Sequence, residues 1–414
     1  MERFDLVVVG GSAAGMAAAI RAAELCPQQR ILLLEKLPRV GKKLLATGNG
    51  RCNLTNLHAG PDAYYHGEFA APVLAACPPQ AVTAFFAAHG LRCYADDAGR
   101  VYPRSNVAAS VVDTLRYALA DAGVQTRCET PVTDIRRGGR GFVLNDAIEA
   151  DTVILALGGQ AAPVHGSDGG GYRLARQLGH SVTPPVPALV PLIAADGGTA
   201  ALKGVRARSA ALTLQSGGRV LASAAGELLF TARGLSGIAA MELAADVQAA
   251  LKSDKETTFT VIDFVPELTR NELAEYLLET VHIKGNQPIE QLLTGLLPKA
   301  IGMYICKVEK LYSQEGRIGV LRPAQLSALA EKIKAFPVRL AGVGSFSEAQ
   351  VTRGGVAVDE IDPVSLQSLR CPGLYFAGEL IDVDGPCGGF NLQWAFASGL
   401  TAGERKGTVN AQNQ

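Results

Sequence analysis

The first apolar stretch, Phe4 to Val9, is short and rich in β-branched residues, as a strand buried on both faces requires. Gly10-Gly11-Ser12-Ala13-Ala14-Gly15 follows, and the alanine-rich run after it predicts a helix to about Leu25. A second apolar run, Arg30 to Leu34, ends at Glu35, which completes a βαβ pattern. Further on, Asp151 to Leu157 reads as a buried strand closed by Gly158-Gly159. The loop Gly166 to Tyr172 then leads into a predicted helix from Arg173 to Leu178. Near the far end, Gly373 to Phe376 predicts a short strand running into Gly378-Glu379. The glycine-rich segment Gly385 to Gln393 precedes a helix through Trp394 to about Gly403.

Between these pieces the pattern changes. Pro184-Pro185-Val186-Pro187, with Pro191, reads as a linker. Alternating segments at Ala210–Leu214, Arg219–Ala222 and Thr257–Phe264 predict a small β-barrel-like region. From Glu267 to about Phe336 the spacing is helical, with polar turns at Lys284-Gly285-Asn286 and Gln314-Glu315-Gly316. From Val338 strands return. A small β segment is expected near Thr126–Val143 and a polar tail after Lys406. The fold class is therefore α/β: a Rossmann-like, ββα-type domain with a parallel sheet, assembled from residues 1–187 and 337–414. The insertion between them is β-rich over 188–265 and helical over 266–336.

Composition narrows the class. A chain of 414 residues is long enough for two or three domains, and 48% hydrophobic with 19% charged residues is ordinary globular composition. The 39 basic residues are balanced by 39 acidic ones, so no nucleic-acid partner is expected. Eight scattered cysteines with no CxxC pair give no metal site and suit reduced thiols in the cytoplasm. Glu2, Arg3 and Asp5 deny the N-terminus the basic region of a signal peptide, and no apolar run reaches membrane-spanning length.

The first turn carries the chemistry. A tight turn delivers the chain into a helix whose free N–H groups and positive dipole end suit a pyrophosphate, contacted by Gly10, Ser12, Ala13 and Ala14. Gly15 permits close packing of helix on sheet, and Glu35, with Lys36 beside it, stands where a ribose is held. Ser12 replaces the middle glycine of the usual fingerprint, and an acid at Glu35 disfavours a 2′-phosphate. The long loop from Lys36 to Asn56, dense in Gly, Asn and cations, favours FAD over NAD. So does the C-terminal segment: Glu379 can accept from ribityl hydroxyls, and the following helix start faces the flavin N1/C2 edge. Ala156 and Gly158 close the buried strand on the same ligand.

With GKKLLATGNGRCNLTN, YPRSNVAASVVDTL, ALGGQ with GSDGGGYRLA, GELLFTARGLSG, and GGVAVDEIDP with LYFAGELIDVDGPCGGFNLQWAFASG in collinear order, the chain resembles the BaiN-type (YhiN-like) NAD(P)/FAD-dependent oxidoreductases among the fumarate-reductase-like flavoproteins. The resemblance implies an FAD domain built from both chain ends around a substrate-facing insertion. It implies that Lys43, Thr47, Gly48, Gly50, Arg51 and Asn53 line the flavin, with Cys52 among them. It places Gly378, Glu379, Asp382, Gly388, Gly389, Phe390, Asn391 and Leu392 on the ribityl and pyrimidine side, and the Val132 backbone at the adenine. Ser12 and Leu157 depart from the family pattern.

Candidate reacting groups are fewer. His165 and Tyr172 flank the Gly166–Gly171 loop as possible acid–base groups, with Tyr102 and Arg104 weaker members of the same set. Cys52 and Cys387 offer thiols near the ring, against the plainer reading of small packing residues. Ser236 lacks the G-x-S-x-G spacing of a hydrolase. Three activities stay open: NAD(P)H-fed ene-reduction of a small organic substrate or its reverse, O₂-dependent oxidation of amines or aminoketones, and action on a macromolecule such as tRNA. A single dinucleotide fingerprint means that NAD(P)H, where used, docks transiently.

Overall fold

The computed structural model describes residues 1–139, 141–197, 199–254, 257–312 and 316–405. Most of the polar turn expected at Gln314-Glu315-Gly316, and the polar tail from Lys406, lie outside the described residues. The chain forms two units: Met1–Val186 together with the segment from Gln350 onward, and Pro187–Ala349.

The first unit opens with β1 (Glu2–Val9), α1 (Ala13–Leu25) and β2 (Ile31–Leu34). β1 lies parallel between β2 and the strand Ile148–Leu155, which explains why Leu6, Val7 and Val8 are fully buried. The register aligns Val9 with Leu34 and with Leu155, and Leu155 with Phe376 of the strand Leu374–Phe376. Four parallel strands thus end level, and the chain leaves them at Gly10, Glu35, Ala156 and Ala377 along one edge. This is the edge of an open α/β sheet where ligands bind.

The sheet has seven strands: the expected parallel sheet, extended on one side by antiparallel strands. Ile135–Gly138, Gly141–Leu144 and Ile148–Leu155 form an antiparallel meander, because links of two or three residues can only reverse the chain. Ile148–Leu155 is shared: its start pairs with Gly141–Leu144 and its end with Leu374–Phe376.

The second unit contains a closed six-stranded barrel of Leu192–Ala194, Gly234–Ser236, Arg219–Phe230, Arg206–Ser216, Phe259–Asp263 and Phe336–Val343. The last of these corrects the expected return at residue 337. Val338 and Leu340 point inward and Arg339 outward, and the strand bonds to Phe259–Asp263 and Leu192–Ala194, so the inserted unit runs on to Ala349. Helices Arg270–Lys284, Lys299–Val308 and Pro323–Lys334 occupy the expected helical region. The first starts on a capping box, with Thr269 Oγ1 accepting from the Glu272 N–H and Glu272 accepting from the Thr269 N–H. Helices Ile238–Glu242 and Ala244–Ser253 interrupt the stretch expected to be β-rich. Ser236 ends a barrel strand ahead of a helix after all, but its hydroxyl donates to Met241 Sδ at 3.5 Å. Among the described residues no single helix is long and apolar enough to cross a membrane; the bent pair Gly67–Ala76 and Pro79–Ala88 buries Val73, Leu74, Val82 and Phe86 in the core.

Candidate active site

At the level strand ends, backbone approach leaves no room for side chains. A Cβ on Gly10, whose φ is +109°, would lie 2.4 Å from the Ala156 carbonyl oxygen, and one on Gly15 only 1.8 Å from that of Gly10. Ser12 caps α1 in an extended conformation without a side-chain capping bond, so the N–H groups of the first turn, from Ala13 on, remain for a ligand. Both oxygens of Glu35 are engaged: Oε2 accepts from the Gly11 N–H at 2.8 Å and Oε1 from the Leu37 N–H at 2.9 Å. Glu35 therefore shapes the turn through both of its oxygens. Lys36 pairs with Asp168 at 2.7 Å. Ala156 donates to the Val9 carbonyl at 2.8 Å, and Gly158 turns the chain with φ +71°.

The helix Phe390–Glu404 packs against α1 through small residues. Gly399 lies against the Ala14 carbonyl and Gly403 against that of Ala18, where added Cβ atoms would sit 2.3 and 2.5 Å away. Equal steps along both helices make them parallel. Phe390 precedes Gly399 by nine residues and Ala13 precedes Ala14 by one, so the two helix starts are offset by about 12 Å at 1.5 Å per residue. Two positive helix ends thus face the same way at a spacing that suits an elongated ligand, with a pyrophosphate at one and an electron-poor ring at the other.

Two loops surround the second helix start. Asn49 (φ 56°), Cys52 (φ 60°), Gly48 and Gly50 all adopt left-handed backbone. Gly389 approaches so closely that a Cβ would lie 2.5 Å from the Thr55 oxygen. Asn56 Nδ2 donates to the Gly388 carbonyl at 2.9 Å, and the fully buried Gln393 accepts from Thr55 Oγ1 at 2.6 Å while donating to the Cys77 carbonyl at 2.7 Å. Asn391 clips its own loop, accepting from the Gly385 N–H and donating to the Gly385 carbonyl, while the Phe390 carbonyl accepts from the Tyr64 hydroxyl. Leu392 is partly buried against the core, and Thr47 Oγ1 donates to the Leu44 carbonyl at 2.6 Å. Buried Asn53 Oδ1 has no protein partner, a vacant acceptor at the centre of this loop.

Three carboxylates line the C-terminal side, each with one cationic or ionisable partner. Glu379 pairs with Lys43 at 2.9 Å and accepts from the Thr352 N–H at 2.7 Å. Asp384 is bidentate with Arg353 at 2.9 and 3.1 Å; burial still pushes its carboxyl above the usual range, with Asp382 and Glu379 adding to the rise against the pull of Arg353. Asp382, 1% exposed, accepts from the Gly354 N–H at 2.9 Å and faces His66 Nε2 at 3.4 Å. Sequence reasoning missed His66, Arg353, Thr352 and Asp384. Their partners are separated from them by up to hundreds of residues, and the one local signal is the Asp-x-Asp of Asp382 and Asp384.

The expected reacting groups fare differently. Cys52 is fully buried, and its thiol is pushed up to about 12 by that burial, so it is no thiolate near neutrality and the packing reading replaces the redox one. Cys387 is partly exposed, its sulfur 4.0 Å from Gln350 Oε1. Tyr172 is buried and its phenol pushed up, first by burial and then by Glu379 and Asp382. Its hydroxyl makes no hydrogen bond of good geometry: nearby Thr352 Oγ1 already accepts from the Gln160 and Ala161 N–H groups. His165 lies in the turn Pro163–His165 with a buried, unpartnered Nδ1. Val132 is bracketed by Asn145, which bonds Pro131 on one side and Thr133 on the other, so its backbone is held in place. Among the described residues no group of three or more His, Cys, Asp or Glu is placed to hold a metal ion.

The staggered helix starts, the glycine cradle and the vacant acceptors fit FAD, and the fold and site are those of an FAD-dependent oxidoreductase. The chain belongs to the family described as HI0933-like protein Rossmann domain, whose model matches residues 4–405. It is 38% identical to a 3-dehydro-bile acid delta(4,6)-reductase of Clostridium scindens over 404 residues, covering 96% of this chain and 97% of that one. It is 30% identical to a ribosomal RNA dihydrouridine synthase of Escherichia coli, covering 96% of each. Its fold matches the FrdA subunit of E. coli quinol fumarate reductase at a TM-score of 0.50 and 19% identity, over 98% of this chain and 70% of that one.

Proposed function

We propose that this protein saturates a carbon–carbon double bond conjugated to a carbonyl in a small organic substrate, with NADH or NADPH as the source of reducing equivalents. One observation carries this reading. Two curated relatives that each cover 96% of this chain are named for different substrates, a 3-dehydro-bile acid and ribosomal RNA, yet a delta(4,6)-reductase and a dihydrouridine synthase both yield a product saturated at a carbon–carbon double bond. FAD bound here supplies hydride exchange at its N5.

The chain's own residues bind and orient. The α1 start, with Gly10, Ser12, Ala13 and Ala14, takes the pyrophosphate; Glu35 with Lys36 takes the ribose, and the Val132 backbone takes the adenine. Glu379 and Asp382 take the ribityl chain. Gly388–Leu392 hold the pyrimidine edge of the ring, and Lys43, Thr47, Gly48, Gly50, Arg51 and Asn53 its opposite side. His66, backed by the buried Asp382, is the side chain best placed by its partner to hold a proton at Nδ1 for the substrate carbon, in preference to His165 or Tyr172. The neutral total charge and the 38% relative favour a small substrate over RNA.

The test is an anaerobic titration of the purified yellow protein with NADH and then NADPH, followed by a steroidal or other conjugated enone. Bleaching by a nicotinamide, recovery of colour with the enone and a product richer by two hydrogens are expected. A flavin bleached by amines and not by nicotinamides would replace the reading with an amine oxidase. Selective turnover of ribosomal RNA would replace the substrate class.

A further inference from the structure

The small sheet beside the flavin loop carries a group of side chains that the reading above does not use. Strands Cys93–Ala95 and Arg100–Pro103 pair antiparallel with Cys93 opposite Pro103 and Tyr94 opposite Tyr102. The Arg104 N–H donates to the Arg92 carbonyl at 2.7 Å, which extends that register and sets Arg92 directly opposite Arg104. Residues two apart share a face of a strand, so Arg92, Tyr94, Tyr102 and Arg104 share one. The tyrosine rings lie 6.0 Å apart, and the Arg51 guanidinium sits 4.6 Å from the centre of the Tyr102 ring, which is itself buried, so Tyr94 is the ring this face offers.

Like charges directly opposite each other weaken a ladder. Among the described residues no ion pair joins either arginine to a carboxylate, and Asp96 in the ribbon's turn is engaged by Arg100 at 2.8 Å. Arg92 and Arg104 are both exposed, and Tyr94 is 37% exposed. Two exposed guanidiniums beside an exposed phenol ring suit a ligand that carries phosphates and a flat ring. The face adjoins the flavin loop, because Tyr102 Cε1 lies 3.6 Å from where a Gly48 Cβ would stand.

We infer that this ribbon is the docking site of the nicotinamide dinucleotide, with Arg92 and Arg104 on its phosphates and Tyr94 against one of its rings. The inference rests on the proposed NAD(P)H-fed reduction. It supplies a place for a coenzyme that has no Rossmann domain of its own in the described residues. An RNA footprint needs a more extended basic surface, which the balanced total charge does not favour.

The test uses the FAD-loaded protein and Arg92→Gln, Arg104→Gln, the double variant and the double lysine variant. Calorimetric titration with NADP⁺ and with NAD⁺ should show Kd raised roughly tenfold or more in the double glutamine variant, with partial recovery in the lysine variant. The wild-type Kd should rise with salt and that of the double glutamine variant much less. Stopped-flow reduction should show the same shift in half-saturation, with the limiting rate, FAD content and dithionite reduction unchanged. Equal Kd values in wild type and double variant would overturn the inference while leaving the proposed reaction standing. A wild type that is not reduced by either nicotinamide would instead remove the reading on which it rests. Loss of RNA binding with unchanged nicotinamide binding would reassign the face to RNA.

Discussion

Gly399→Ala tests whether the close contact between α1 and the helix Phe390–Glu404 sets the geometry of the flavin site. The added methyl would lie 2.3 Å from the Ala14 oxygen, 2.9 Å from its Cα and 3.0 Å from its carbonyl carbon. All three are backbone atoms, so no rotamer change relieves the overlap, and the helices must part by about 1 Å to regain ordinary van der Waals distances. Such overpacking costs about 1–3 kcal/mol, while alanine in a helix interior returns about 1 kcal/mol relative to glycine. The net expectation is a loss of up to about 2 kcal/mol. Gly60→Ala is the matched control: Gly60 is extended at φ −127° and ψ 167°, nothing stands within 4 Å of its added Cβ, and the change should be neutral or stabilising by up to about 1 kcal/mol. Urea unfolding of the FAD-stripped protein measures both changes, and fluorescence titration with FAD should show weaker binding in Gly399→Ala alone. A Gly399→Ala protein as stable as Gly60→Ala, with unchanged FAD affinity, would refute the claim that this contact fixes the two helix starts.

Other expectations follow from the site. Alkylation of the native protein near neutral pH should spare Cys52, read by peptide mass spectrometry, because burial holds its thiol at about 12; rapid labelling there would restore the redox reading. Glu35→Gln loses the charge on two backbone N–H bonds and should cost about 1–3 kcal/mol in FAD binding or folding, measured by FAD titration and urea unfolding. Asp384 has a carboxyl raised by burial, so its contribution favours the folded state at low pH and fades as pH rises from the unfolded aspartate range through the folded value. A D384N/R353Q protein should therefore show a shallower fall in stability across that window, read by denaturant midpoints at successive pH values. His66→Gln should lower the rate of enone reduction while leaving flavin reduction by nicotinamide unchanged, both read by stopped flow; an unaltered enone rate would dismiss it as proton donor.

What the sequence made legible was local. Gly10 to Gly15, the run into Glu35 and the glycines before Phe390 sit within a few residues of the strands and helices that they connect, so period and turn chemistry place them. Phe336–Val343 was legible as a strand but not as a barrel strand, since alternation shows that a segment has two faces and not which neighbour it bonds. The Lys43–Glu379, His66–Asp382 and Arg353–Asp384 pairs were not legible as pairs. The first two join residues more than 300 positions apart, and which acid meets which cation is decided by sheet order and loop path. Cys52 illustrates the opposite case, where a glycine-rich neighbourhood suggests access and the fold removes it.

The level strand ends have a consequence for how the protein is made. Gly10, Glu35 and Ala156 are synthesised before the inserted unit, whereas Gly378 and the helix from Phe390 come after it. A ribosome therefore releases the whole barrel and its helices while the first unit still lacks the strand Leu374–Phe376 and the helix that packs on α1. The intervening unit can fold in that interval on its own six closed strands. FAD can be captured with full affinity only once the helix Phe390–Glu404 has packed alongside α1, so cofactor binding follows synthesis of the inserted unit and is not a template for it.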